Sequence, residues 1–162
     1  MKILAVDDDE LIREILGATL EAHGYTDVTM ADCGEDALRK IAASPTPFDG
    51  FMFDIQMPGM DGTELCQQVR QMDQYKNSPV IMITAMNNKE YVDRAFMAGA
   101  TDYVTKPFDT TELMTRIRLA DRLQQEARKA ASVAAAAPSA AAAPKPAFKE
   151  PVTVKDVRGV VK

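Results

Sequence analysis

The sequence contains no tryptophan, a single histidine and only two cysteines among its 162 residues, and it has no long hydrophobic run. Two cysteines, Cys33 and Cys66, are too few for a disulfide framework and are typical of a reducing compartment. No segment approaches the roughly 18 apolar residues of a membrane-spanning helix, and the apolar stretch after Lys2 is too short for a signal peptide. We therefore expect a cytoplasmic protein without a membrane partner.

Basic residues are in the minority, with 19 Lys and Arg against 24 Asp and Glu and a formal net charge of -5. Nucleic-acid binding requires a basic surface that neutralises phosphates, so this balance argues against a nucleic-acid partner. The charge is also uneven, because residues 1–125 contain 12 basic and 21 acidic side chains whereas residues 126–162 contain 7 and 3. An acidic body is therefore followed by a mildly basic tail.

Short apolar runs alternate with stretches of helical periodicity through the first 125 residues. The runs are Ile3–Val6, Val28–Met30, Phe51–Phe53, Val80–Ile83 and Tyr103–Val104. Three of them are continuously apolar, as expected for parallel strands that helices cover on both faces. Parallel neighbours require right-handed crossovers. The pattern predicts a doubly wound α/β domain with a five-stranded parallel sheet.

The helical stretches show apolar stripes that should face this sheet. The last stripe consists of Leu113, Ile117, Ala120 and Leu123. Three methionines are also assigned to the core, namely Met52, Met82 and Met97.

Residues 126–162 differ in composition from the domain that precedes them. Twelve of these 37 residues are alanine and four are proline. Polyalanine favours helix, so the last helix is expected to run toward Ser132 or beyond before the prolines end it. Such a segment cannot bury enough apolar surface to fold alone. We predict a domain over residues 1–125 and a flexible, disordered Ala/Pro-rich tail over residues 126–162, helical at its start.

The end of the tail is rich in valine, with Val152, Val154, Val157, Val160 and Val161 close together. The plain interpretation is a disordered extension. The alternative is that this segment docks on a partner or adds a strand to a sheet edge.

Polar side chains follow four of the predicted strands. The first strand ends in Asp7, Asp8 and Asp9, the third in Asp54, the fourth in Thr84 and Ala85, and the fifth in Thr105, Lys106 and Pro107. Ligands of open parallel sheets bind outside the carboxyl ends of the strands. We expect these side chains to lie together at one edge of the sheet.

Carboxylates crowded into one pocket repel each other by about 4 kcal/mol per pair at ~4 Å and an effective dielectric of about 20. A cation relieves that repulsion, and a site made only of oxygen ligands selects a hard ion such as Mg²⁺. A divalent cation, a lysine and a hydroxyl together stabilise a phosphoryl group in transfer. A carboxylate is itself able to accept that group as an acyl phosphate.

Four motifs occur in order at these strand ends: VDDD at 6–9, FDIQMPGMDG at 53–62, ITA at 83–85 and YVTKPF at 103–108. Together they resemble the receiver domain of bacterial two-component response regulators over roughly residues 1–125. The resemblance implies the flavodoxin-like (βα)₅ receiver fold. It also implies that the protein accepts a phosphoryl group from a histidine kinase or a histidine phosphotransfer protein, in a two-component system or phosphorelay.

The resemblance assigns a role to each matching residue. Asp54 would be the phosphoacceptor. Mg²⁺ would be bound by Asp7, Asp8, Asp54 and the backbone carbonyl of Gln56. The phosphate would contact Lys106, Thr84 and Ala85, and Tyr103 would move inward behind Thr84 as a switch. The bond between Lys106 and Pro107 would be cis, an isomer found almost only before proline.

Two positions depart from the residues commonly found in this family, namely Gln56 and Met86. Both flank the path of a water that attacks the acyl phosphate. Because methionine cannot position water by strong hydrogen bonds, we expect slow hydrolysis.

The leading interpretation is a stand-alone response regulator that acts through an unknown protein target. It would not be an enzyme beyond its own phosphorylation and dephosphorylation, would have no DNA-binding output domain, and would be a monomer or a weak dimer linked to phosphorylation. Two alternatives stay open. One is a haloacid-dehalogenase-like phosphatase, although Gln56 occupies the position of that family's second acid. The other is an interaction module that works without phosphorylation.

Overall fold

A parallel sheet of five strands forms the centre of the computed structural model, which describes residues 1–136. The strands are β1 (Ile3–Val6), β2 (Val28–Ala31), β3 (Gly50–Asp54), β4 (Val80–Thr84) and β5 (Asp102–Thr105). Their order in the sheet is β2-β1-β3-β4-β5, and every pairing is parallel. The predicted doubly wound, flavodoxin-like sheet is confirmed, and the switch in strand order lies between β1 and β3.

Five helices connect and flank the strands. They are α1 (Glu10–Ala22), α2 (Gly34–Ala43), α3 (Gly62–Gln71), α4 (Lys89–Met97) and α5 (Thr110–Ala136). Short polar residues start several of them: Asp9 accepts hydrogen bonds from the amides of Leu11 and Ile12, and Asp61 forms a capping box with Glu64. These caps satisfy amides that have no partner within the first helical turn.

Apolar side chains fill the space on both faces of the sheet. On one face, Leu16 and Leu20 of α1 pack with Leu113 and Ile117 of α5 in one hydrophobic cluster. On the other face, α2, α3 and α4 pack against a second hydrophobic cluster that includes Phe51. β1, β3 and β4 are buried along their whole length. This explains why their sequences are apolar without alternation.

Two core assignments made from the sequence are wrong. Met97 is 87% exposed and Leu123 is 53% exposed. α4 contributes one fully buried residue, Ala95, and Met97 lies two residues later, about 200° around the helix at 3.6 residues per turn. The buried stripe of α5 that faces the sheet ends at Ala120. Leu123 lies beyond that last buried residue and is not covered by the sheet.

α5 is much longer than the other helices and continues through Ala136. The first part of the predicted tail is therefore helical, and Arg128 within it forms an ion pair with Asp49 in the loop before β3. Residues 137–162, which include the rest of the predicted disordered tail and its valines, lie outside the described residues. Among the helices of residues 1–136, none combines the length and hydropathy needed to cross a bilayer.

Candidate functional site

The carboxyl ends of β1 and β3 bring three acidic side chains together. Asp7 and Asp8 follow β1 directly, and Asp54 is the last residue of β3. One carboxylate oxygen from each of Asp7, Asp8 and Asp54 lies within 4.8 Å of the others. Asp7 and Asp54 are 1% and 4% exposed, whereas Asp8 is open to solvent. The predicted convergence of strand ends is present.

Lys106 reaches this acidic cluster from the end of β5. Its Nζ lies 2.7 Å from Oδ2 of Asp7 and 3.3 Å from Oδ2 of Asp54. The contact to Asp7 is a close ion pair, and Oδ2 of Asp7 is otherwise buried without a hydrogen-bond partner. One ammonium therefore balances two buried carboxylates, and the pocket keeps a negative excess.

Burial raises the pKa of Asp54 from 3.8 to about 6, and the negative charge of Asp7 adds to that effect, while Lys106 opposes it. The pKa of Lys106 is raised although burial alone would lower it, because its contacts with Asp7 and Asp54 favour the ammonium form. A carboxylate that is costly to ionise at neutral pH is stabilised by a neighbouring cation. The electrostatics thus favour metal binding at Asp54.

The turn from β1 into α1 holds Asp7 in place. Its Oδ1 accepts a hydrogen bond of 3.0 Å from the amide of Asp9, and its carbonyl accepts one of 2.7 Å from Nη1 of Arg13. Only Oδ2 of Asp7 is left for the pocket. Arg13 is a residue that the sequence reasoning missed, and its position on the second turn of α1 was the only available signal.

The loop from β3 to α3 approaches the site through its backbone. The amide of Gly62 donates a 2.9 Å hydrogen bond to the carbonyl of Ile55. A Cβ at Gly62 would lie 2.8 Å from the carbonyl carbon of Asp54 and closer still to its oxygen. The side chain of Gln56 is exposed, which leaves its backbone as the part of the residue available to the pocket. Glycine is required where two backbone segments approach this closely.

Thr84 ends β4 next to Asp54 in the sheet, where Asp54 pairs with Ile83. Thr84 is 1% exposed, and its Oγ1 accepts a hydrogen bond of 3.0 Å from the amide of Met86. With its acceptor role met, the hydroxyl retains a proton to donate. Ala85 and Met86 follow Thr84 directly, and Ala85 is exposed.

Tyr103 and Pro107 lie on β5 and just after it. Tyr103 is half-buried, and its ring packs edge-on against Phe96 of α4 with centroids 6.0 Å apart. The peptide bond between Lys106 and Pro107 is cis, the isomer that the resemblance implies. Phe96, which is 44% exposed, belongs to an apolar helical stretch of the sequence, but its contact with Tyr103 was not predicted.

The donor set fits a hard divalent cation. Three carboxylate oxygens converge, with Oδ2 of Asp7 buried and free of hydrogen bonds, and oxygen ligands of this kind suit Mg²⁺. The negative excess of the pocket and the raised pKa of Asp54 also favour a bound cation.

Residues 3–118 match the family model described as "Response regulator receiver domain". Among similar proteins, "Response regulator MprA" of Mycobacterium leprae is 38% identical over 134 residues, which are 83% of this chain and 57% of that protein. "Transcriptional regulatory protein ResD" of Bacillus subtilis is 37% identical over 117 residues, 72% of this chain and 46% of that protein. The chain thus spans about half the length of the curated relatives it matches.

Solved structures agree with this match. The chemotaxis protein CheY4 of Vibrio cholerae superposes with a TM-score of 0.68 at 35% identity, covering 74% of this chain and 97% of that one. A CheY-like receiver domain protein from Methanospirillum hungatei gives a TM-score of 0.70 at 31% identity, with 77% and 96% coverage. These proteins share the five-stranded parallel fold described above.

Proposed function

The chain belongs to the response regulator receiver family of two-component signalling, and on that basis we propose that it is a phosphorylation-dependent switch whose phosphoacceptor is Asp54. Receiver domains of response regulators are phosphorylated by histidine kinases. A histidine kinase or a histidine phosphotransfer protein is therefore the proposed donor.

One observation carries the assignment of Asp54. It is the acid that ends the central strand β3, 4% exposed, with Lys106 at 3.3 Å and a carboxylate oxygen of Asp7 in the same pocket. Asp8 is solvent-exposed and Asp9 caps α1, so neither has this combination of rigidity, burial and an opposing amine. Asp7 shares the burial and the amine, but its Oδ1 accepts a hydrogen bond from the Asp9 amide and its Oδ2 lies 2.7 Å from Lys106, which suits a fixed ligand rather than a nucleophile. A nucleophile fixed in this way needs little reorganisation to react.

In the proposed transfer, a carboxylate oxygen of Asp54 attacks the phosphorus of a phosphohistidine. A P–O bond forms, the P–N bond breaks, and the imidazole leaves with the electron pair. Mg²⁺ bound by Asp7, Asp8, Asp54 and the carbonyl of Gln56 would supply positive charge to the phosphoryl oxygens.

The residues around Asp54 then stabilise the acyl phosphate. Lys106 transfers its ion pair from the Asp54 carboxylate to the phosphoryl group, and the Thr84 hydroxyl donates to a phosphoryl oxygen, with the Ala85 amide beside it. Tyr103 is the proposed switch, since its ring lies between β5 and Phe96 of α4. Its movement toward Thr84 would change the surface formed by α4, β5 and α5.

We further propose that the receiver domain ends near residue 125 and that its output is a contact with a protein target. Catalysis would be limited to its own phosphorylation and dephosphorylation. The relatives are about twice as long as the region they share with this chain. The expectation that no DNA-binding output domain accompanies this receiver therefore stays a prediction, as do cytoplasmic location and a monomer or weak dimer.

The two alternative functions make different predictions. A haloacid-dehalogenase-like phosphatase would turn over a phosphate monoester, and Gln56 offers no second acid for that chemistry. An interaction module without phosphorylation would leave Asp54 unmodified. The family match over residues 3–118 favours the receiver over the phosphatase. The acidic pocket opposite Lys106 favours it over an interaction module without phosphorylation.

The test is incubation with Mg²⁺ and acetyl phosphate, followed by intact-protein mass spectrometry. We expect one phosphoryl adduct per chain, lost in Asp54→Asn and retained in Asp9→Asn, a matched change at a helix cap. No adduct in the wild-type chain, or an adduct that persists in Asp54→Asn, would contradict the assignment. Release of phosphate from a monoester in many turnovers would favour the phosphatase.

A further inference from the structure

A continuous groove runs along the side of α5 that faces the β5 edge of the sheet, and we call it the α5 groove. Its three adjoining sections hold about 560, 200 and 240 Å³. The sections share lining residues, so they form one channel. Along α5 the lining residues include Glu112, Arg116, Leu119, Leu123 and Ala127.

The floor of the α5 groove is apolar although it faces solvent. Leu119 and Leu123 are 54% and 53% exposed. Single exposed leucines are ordinary, but two of them that line one concave surface form an apolar patch of the kind that binding sites use. β5 beside it pairs only with β4, so its outer edge is open among the described residues.

We propose that the valine-rich end of this same chain, residues 151–162, docks in the α5 groove as an extended segment. The order of side chains along the segment matches the order along the groove. From the end of α5 toward its start, the groove presents Ala127, Leu123 and Leu119, then the basic Arg116, then the acidic Glu112.

Alternate residues of an extended segment point to the same side. In residues 151–162 one such set is Val152, Val154, Asp156 and Arg158. This set is apolar first, then acidic, then basic, which is complementary to the order along the groove. Arg116 already forms ion pairs with Asp102 and Glu112, so Asp156 would join this network and Arg158 would add a cation to its acidic side. The segment from residue 145 onward also carries five basic and two acidic residues, against a rim that adds the acids Asp102 and Asp109.

The dimensions agree with this alignment. Val152 to Arg158 spans about 20 Å at 3.3 Å per residue, and Ala127 to Glu112 spans about 22 Å along the helix axis at 1.5 Å per residue. A segment that returns from Ala136 toward the start of α5 runs parallel to β5. This direction places Val152 near Ala127 and Arg158 near Glu112, as the proposed alignment requires.

The connection is long enough for docking within one chain. Leu123 lies about 20 Å back along α5 from Ala136, whereas residues 137–151 reach up to about 50 Å when extended. A connection of this length would give an effective concentration in the millimolar range, so that even weak binding in the groove would occupy it.

Hydrogen exchange of the full chain, followed by mass spectrometry, tests the proposal. We expect amides of residues 152–160 to exchange at least about tenfold more slowly than amides of a free peptide with the same sequence. Val154→Asp in the segment and Leu123→Asp in the groove should each remove this protection. Ala142→Asp is the matched control, because it adds the same charge outside the segment and should leave the protection unchanged.

Two results would overturn the proposal. One is exchange of residues 152–160 at the rate of the free peptide. The other is protection that disappears on tenfold dilution together with a dimer in light scattering, which would assign the groove to a second copy. Because none of these substitutions touches Asp54 or its neighbours, the phosphorylation assay on the same variants reports separately on the proposed function and on whether Leu123→Asp folds.

Discussion

Replacing Asp54 with asparagine should stabilise the protein when no divalent cation is present. Asp54 ionises with a pKa of about 6 in the folded chain, against an ordinary value of 3.8. Each unit of pKa corresponds to about 1.36 kcal/mol, so the ionised carboxylate costs the folded state about 3 kcal/mol at neutral pH. Asparagine keeps nearly the same shape without that charge, and Lys106 retains its contact with Asp7.

The dependence on pH has a definite direction. Below pH 3.8 the carboxyl group is protonated in both the folded and the unfolded chain, and the penalty is absent. Between pH 3.8 and about 6 the unfolded chain ionises first, so the folded state loses stability as the pH rises, and above pH 6 the loss is constant. The advantage of Asp54→Asn should be about 3 kcal/mol at pH 7 and about 1 kcal/mol at pH 4.5.

Urea denaturation in EDTA at pH 7 and pH 4.5 measures this difference. Asp93→Asn, which removes an exposed acid from α4, is the control and should change the free energy of unfolding by less than about 0.5 kcal/mol. Millimolar Mg²⁺ should stabilise the wild type more than Asp54→Asn, because a ligand that binds only the folded state adds to stability. An advantage for Asp54→Asn that is below about 0.5 kcal/mol, or that is the same at both pH values, would refute the assigned burial of this charge.

Three further changes test other parts of the site. Met86→Asn should speed loss of the phosphoryl adduct severalfold, because an amide positions water and a thioether does not, and an unchanged half-life by mass spectrometry would contradict the role of this position. Gly62→Ala should lower the free energy of unfolding in urea by at least about 2 kcal/mol, because the alanine Cβ would overlap the backbone of Asp54. A decrease below about 0.5 kcal/mol would argue against that close approach. Arg13→Gln should weaken Mg²⁺ binding in calorimetry because the Asp7 carbonyl loses its partner, and an affinity equal to that of the wild type would show that Arg13 does not position the ligand.

Most of what the sequence predicted correctly about the site came from the residues at the ends of the strands. Continuous apolar runs located β1, β3 and β4, and the rule that ligands bind at the carboxyl ends of parallel strands was enough to bring Asp7, Asp54 and Lys106 together. A motif at a strand end defines where its side chains lie relative to those of adjacent strands, because pairing in the sheet fixes the register of β1, β3 and β4.

Features that depend on helix orientation or on backbone acceptors were not readable in the same way. Leu123 fits the helical periodicity of α5 and Met97 is a large apolar residue of α4, yet both are exposed, because the sheet covers only a narrow face of each helix at these positions. Arg70 donates to the carbonyls of Tyr75, Ser78 and Gly99, and Arg13 donates to that of Asp7. Every residue has a carbonyl, so no side-chain pattern reveals such contacts.

The central claim is that the carboxylates at the ends of β1 and β3 form a site for a divalent cation. Titration of the full chain with Mg²⁺, followed by backbone amide NMR, tests it most directly. We predict saturable shifts at millimolar Mg²⁺ for the amides of residues 7–9 and 54–57, lost in Asp8→Asn. Amide signals that do not move at these concentrations would contradict the account.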